Sequence, residues 1–294
     1  MFDMRYHIAS LVAVFFALAI GILLGTVIVD KGVLVGQQQA LVKRIEMSFK
    51  DIRAENRLLK EEVDAQRKFA NSIIPLSIKD RLIGQNIAII STTKVKSDNI
   101  IDLSDGLRKA GAVVSAIKIK EDFKLTEEAK QALSPYFSIS LTDGNVRELL
   151  LKKMVDELSL RPSMPESATA TADQEIAYLD QLKKLGFIVT ESKFDIPISA
   201  AVILGGADAD QDPEKTDLYI ITQLKSAGIR LVGAETTDCK KSYMKLYQEA
   251  GISTVDNIDQ PTGIVSTVFA LMGLNGNFGV KRDAEQFMPT FPSP

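Results

Sequence analysis

Ile8–Val29 reads IASLVAVFFALAIGILLGTVIV, 22 residues with no charge and no proline. A bilayer's hydrocarbon core takes about 20 apolar helical residues, so this stretch is long enough to span one. A cleaved secretory signal has a shorter apolar run, about 7–15 residues, followed by a small-residue cleavage site. Val27–Asp30 offers no such site, so an uncleaved anchor is predicted over residues 1–30. Everything after Asp30 is then placed on one side of a membrane. Within the anchor, Ala9, Ala13, Ala17, Gly21 and Gly25 recur every fourth residue and share one helix face. Ala and Gly are common in membrane helices, but a continuous small-residue groove that includes a GxxxG pair lets two backbones approach closely in lipid.

Working outward, composition bounds the rest. At 294 residues there is room for one or two domains beside the anchor. Apolar residues make up 46% and charged residues 25%, which is enough to bury a sizeable core. The net charge of −3 gives no general attraction to nucleic acid. Cys239 is the single cysteine and His7 the single histidine, which excludes an internal disulfide, most soft-metal sites and any histidine-dependent triad. Orientation is not settled by charge: Arg5 precedes the span, whereas Lys31, Lys43 and Arg44 follow it. That count favours a cytoplasmic C-terminal side, but the rule is weak for long domains.

From Val35 a heptad register fits. Val35, Val42, Phe49, Asn56, Val63 and Ala70 take a positions; Gln38, Ile45, Ile52, Leu59, Gln66 and Ile73 take d positions. Eight of the twelve are large and apolar and three are polar, a coiled-coil signal with charged flanks. Pro75 is expected to end the helix, giving a stalk over 31–75 of about 40 helical residues, roughly 60 Å long. Asn56 at an a position pairs well with itself across a parallel dimer and badly elsewhere. In that geometry Glu55 meets Lys60, and Glu62 meets Arg67, both opposite-sign g–e pairs. Two N-terminal anchors in one membrane also demand a parallel arrangement. A parallel homodimer is predicted; a single amphipathic helix folded back on the globular domain is the plainer alternative.

After Pro75 the pattern alternates short β-rich runs with amphipathic helices. Strands are predicted at Asn86–Ser91, Ala112–Lys118, Phe187–Val189, Ala200–Gly205, Ile229–Gly233 and Ile252–Asp256. Helices are predicted at Asp98–Ala110, Glu127–Ser134, Asn145–Leu158, Gln174–Leu185, Glu214–Ala227, Ser242–Ala250 and Gly263–Met272. Gly111, Gly186, Gly228 and Gly251 each stand between a helix and a strand, as left-handed helix stops do. Continuous apolar strands such as Ala200–Leu204 read as buried on both faces. The fold class is therefore α/β, a Rossmann-like, mostly parallel sandwich over 76–294, with Arg161–Ala172 as a linker that divides it into two halves.

Ligands in such sheets sit beyond the C-terminal strand ends. There the sequence places Asp208, Asp210 and Asp212, then Glu235, then Asp256, Asn257 and Asp259. The alternate aspartates resemble the start of a calcium loop, but Pro213 and Tyr219 replace its glycine and final glutamate. No metal site and no cofactor is assigned. The acidic residues form either a candidate ligand crevice or caps for the helices that follow, and capping is the plainer reading. No nucleophile–base pair can be assembled, so no enzyme is predicted.

The opening Met4–Thr26, the VGAE of Val232–Glu235 and above all VDNIDQPTGIVSTVFALMGLNGNFGVKRDAEQFMP at Val255–Pro289 resemble the MctB/SteB-like family, labelled copper transporters. The resemblance implies a membrane anchor with the bulk of the chain outside the cytoplasmic membrane. It also implies one of two roles: copper removal through an outer-membrane pore, or a coiled-coil septal protein that partners a SteA-like membrane protein in cell-envelope assembly at division. The scattered Met residues offer no copper cluster, and the buried-strand pattern does not alternate as a barrel's would. A non-catalytic, single-pass, dimeric envelope scaffold is therefore expected. A copper-resistance component is the alternative, and a membrane-tethered small-ligand sensor the third.

Overall fold

The computed structural model describes residues 4–93, 95–120, 126–137, 146–159, 172–190, 196–206 and 214–290. The chain divides into two compact units, Met1–Gln66 and Arg67–Pro294.

The first unit is helix. Helix α1 runs from Met4 to Ile78, 75 residues. Over Met4–Thr26 its mean hydropathy reaches 2.7 and none of it is buried, as suits a helix whose surroundings are lipid. A side-chain carbon at Gly21 or Gly25 would meet nothing within 4 Å, so the face that carries Ala9, Ala13 and Ala17 is open. Further along, Val42, Ile45, Phe49, Ile52, Leu59 and Val63 are each 46–57% exposed, in a row with Asn56. Val35 falls where side chains lie outside the described ones.

The helix does not stop at Pro75. It continues three residues to Ile78, which is fully buried in the second unit, with Ile74 packed beside it. A proline this near a helix end forfeits a single backbone bond, and burying Ile78 offsets that loss.

The second unit is built on a sheet of seven strands among the described residues, in the order β3-β2-β1-β4-β5-β6-β7. These are β1 (Asn86–Ser91), β2 (Val113–Ile119), β3 (Ile188–Thr190), β4 (Ala200–Leu204), β5 (Arg230–Ala234), β6 (Ser253–Val255) and β7 (Asn277–Phe278). All neighbours run parallel except β3, which pairs antiparallel with β2 at the edge. Successive residues of β1 serve opposite faces, as a pleated strand requires: Ala88 and Ile90 enter one core, Ile87 and Ile89 the other.

The first core is covered by α3 (Glu127–Leu133), α4 (Val146–Ser159), α5 (Ala172–Lys184), α6 (Tyr219–Ser226) and α7 (Met244–Glu249). The second is covered by α2 (Ser97–Lys109), α8 (Pro261–Met272) and the end of α1. The predicted α/β class and mostly parallel sheet thus match. Two differences stand out. Strand β7 is too short, two residues, to leave a pattern in sequence. The segment 160–171 lies outside the described residues, but β1 before it pairs with β4 after it, so one sheet runs through both predicted halves. Gly111, Gly186, Gly228 and Gly251 do take positive φ, between 73° and 94°, where the helices turn back to the sheet.

Candidate functional site

Strand β5 ends by delivering Glu235 into the interior with its side chain 0% exposed. A carboxylate out of water needs a compensating charge and hydrogen bonds. Both are present. Lys281 donates from Nζ to Glu235 Oε1 at 2.8 Å, and the Tyr243 N–H donates to Oε2 at 3.0 Å. The same ammonium donates to the Thr236 carbonyl at 2.7 Å and to Cys239 Sγ at 3.0 Å. Burial works against the charged form of Lys281, yet the contacts with Cys239 and Glu235 leave its pKa above the ordinary value. Burial pushes the Cys239 thiol up, against the pull of Lys281.

Lys281 comes from the turn after β7, and Asp256 holds that turn. Asp256 lies just beyond β6 and accepts N–H bonds from Val280 at 2.7 Å and Lys281 at 2.9 Å. Gly279 has φ of 145°, and any side chain there would collide with the Asp256 carboxylate. Asp259 accepts from the Thr237 N–H at 2.8 Å and its hydroxyl at 2.5 Å, tying the β6–α8 loop to the β5–α7 loop. Asn257 is fully buried and donates to Thr262 Oγ1 at 3.1 Å, while its Oδ1 has no hydrogen-bond partner.

Glu235 follows β5, and Asp256, Asn257 and Asp259 follow β6, so all four stand at C-terminal strand ends. Their side chains are spent on one another's loops. Tyr243 and Gln260, the residues that start α7 and α8, make no side-chain cap bond of their own. Glu235 instead fixes α7 through the Tyr243 N–H. Asp208, Asp210 and Asp212 lie outside the described residues. Among the described residues, no group of three or more His, Cys, Asp and Glu is placed to hold a metal ion.

A second buried polar pair stands under the switch between β1 and β4, where the chain reverses its direction of winding. The Tyr247 hydroxyl donates to Asp217, which sits on the π-type turn Glu214–Leu218 that leads into α6. Tyr247 lies so close to Gly205 and Gly233 that a side chain at either would overlap its ring. Burial pushes the Asp217 carboxyl up to about 6, against the pull of the Tyr247 and Thr92 hydroxyls and the Arg147 charge. Asp217 Oδ1 and Thr92 Oγ1 are both buried.

Lys281, Cys239, Asp217 and Tyr247 were missed by sequence reasoning. Lys281 and Glu235 are 46 residues apart, a separation no spacing rule detects. The available signal was the VGAE and Val255–Pro289 segments, which carry Glu235, Asp256, Asp259 and Lys281.

Comparison with known proteins agrees with those segments. The family model described as "Copper transport outer membrane protein, MctB" matches residues 1–289. Proteins named "Copper transporter MctB" from Mycobacterium bovis and Mycobacterium tuberculosis are 25% identical over 296 residues, covering 93% of this chain and 93% of theirs. With its apolar N-terminal helix, its mostly parallel sheet and a family match running from the anchor through the Lys281 turn, the chain belongs to the MctB family.

Proposed function

We propose that this chain is a membrane-anchored component of copper efflux or resistance that works as a parallel dimer, presenting its α/β domain to a partner without conducting the ion itself. The single observation that carries the copper assignment is the family match over residues 1–289. Three features support the presenting role. Apolar heptad positions on α1 stand half exposed and unburied by the chain itself. The strands sit between two helix-covered cores, whereas a membrane barrel needs lipid-facing apolar positions alternating with a polar lumen. Finally, Cys239 is the one soft thiol ligand, and the Lys281 ammonium 3.0 Å away repels any incoming cation.

Deleting the gene should lower the copper concentration at which growth stops and raise cellular copper, with both restored by the full chain. Unchanged copper tolerance together with misplaced or missing septa would replace this reading with the second, an envelope scaffold working with a SteA-like partner in division. The exposed heptad stripe favours that reading equally. Fusing alkaline phosphatase after Pro294 should give active enzyme, because either role puts the α/β domain outside the cytoplasm.

The dimer has its own expected result. Asn56→Val should tighten the stalk and shift its register or copy number, read as an altered crosslinking ladder in membranes. A monomer in both versions would refute the dimer.

A further inference from the structure

Within the second unit, the last turns of α1 divide their apolar side chains between two faces. Ile74 and Ile78 turn inward onto the core. Phe69, Ile73 and Leu76 are 69%, 45% and 74% exposed. At about 100° per residue these three fall within roughly 60° of one another, and Ile78 lies about 180° from Phe69. They therefore form a deliberate outer stripe on a helix whose inner face is already in use. In the sequence the heptad spacing breaks at a three-residue step, Val63–Gln66–Phe69, and four-then-three spacing follows through Ile73 and Leu76.

Two more exposed apolar side chains follow the helix. Where β1 and β2 begin, Ile83 is 68% exposed and Val113 61%. Ile83 lies against Gly111, whose added side-chain carbon would stand 2.8 Å from Ile83 Cγ1. Val113 is fixed beside it by an N–H bond to the Gln85 carbonyl at 2.9 Å. Single exposed apolar side chains are ordinary on protein surfaces, but five large ones at one end of a domain mark a contact.

We propose that Phe69, Ile73, Leu76, Ile83 and Val113 form a contact with the same residues of a second copy, so that the α/β domains are joined and not merely tethered. The proposal rests on the parallel dimer above. Charge complementarity identifies the occupant. In a parallel, in-register pair Glu62 meets the second copy's Arg67, which carries the matched register to within two residues of Phe69. A two-fold axis along the helices brings like surface against like, and an apolar patch is complementary to itself.

The test uses the full-length chain in membranes and a short bismaleimide crosslinker, with unmodified chain as the baseline for Cys239. Ile52→Cys reports the stalk, and Ile73→Cys reports the domain end. Both are expected to give covalent dimers. Adding Ile83→Glu, at an exposed position that leaves folding intact, should cut the Ile73→Cys dimer roughly tenfold by like-charge repulsion, with the Ile52→Cys dimer unchanged. A dimer at Ile52→Cys with none at Ile73→Cys would overturn this contact and leave the stalk dimer standing. No dimer at either would overturn both. A dimer at Ile73→Cys that ignores Ile83→Glu would show that the domain surface takes no part, which also overturns the proposal.

Discussion

Lys281→Met is expected to destabilise the second unit by about 3–5 kcal/mol, because it leaves the Glu235 carboxylate buried beside an apolar side chain. Glu235 is 0% exposed at its side chain, and without Lys281 it keeps the Tyr243 N–H but no opposite charge beside it. The partners are not equivalent. Lys281 is 22% exposed and has the Thr236 carbonyl and Cys239 as further contacts, so it can turn to water when its partner is neutralised. Glu235→Gln should therefore cost about 1–2 kcal/mol, clearly less than Lys281→Met. The double variant Glu235→Gln/Lys281→Met should be more stable than Lys281→Met alone, since no unpaired charge remains. Urea denaturation of the detergent-solubilised chain reads all three. If Lys281→Met and Glu235→Gln cost the same, Glu235 is not the isolated charge described.

The ion pair also shows what sequence could and could not display. Strands such as Ala200–Leu204 announced themselves because a parallel strand buried on both faces must be continuously apolar. The four Gly stops were legible because the left-handed turn from helix to strand excludes most other residues. Glu235, Asp256, Asn257 and Asp259 could be placed at strand ends for the same reason: the strand ends were known. What each one binds could not be read. Glu235 finds Lys281 across 46 residues, and Asp256 finds the backbone of a turn whose strand β7 is too short to show. Asp217 was hidden differently. It reads as a surface aspartate at the start of a helix, and only the burial of Tyr247 against Gly205 and Gly233 draws it inside. Pro75 misled for a related reason, since a local rule placed a stop where the burial of Ile78 carries the helix on.

Asp217→Asn is expected to make the chain more stable at neutral pH, by up to about 3 kcal/mol, although it removes a charge that accepts a hydrogen bond. Burial raises the folded-state pKa of Asp217 from 3.8 to about 6, so the folded chain holds this proton more tightly than the unfolded chain does. Below about pH 4 the carboxyl is neutral in both states and burying it is inexpensive. As pH rises through the window from about 4 to 6, the unfolded chain ionises first, and the stability contributed by the neutral form is lost. Above that window the folded protein carries a buried carboxylate, with Tyr247 donating to it and Arg147 near it. An asparagine keeps an acceptor for the Tyr247 hydroxyl and offers an N–H toward Thr92, without the charge. The difference in stability between Asp217→Asn and the unmodified chain should therefore grow from pH 4 to 6 and level off above it. The difference curve, not the absolute one, carries the result, because it cancels every titration the two chains share. Tyr247→Phe should move the midpoint of that curve upward, because it takes away the donor that favours the ionised carboxylate. A difference that stays flat across the window would show that water reaches Asp217 and that its carboxyl is not held in the core.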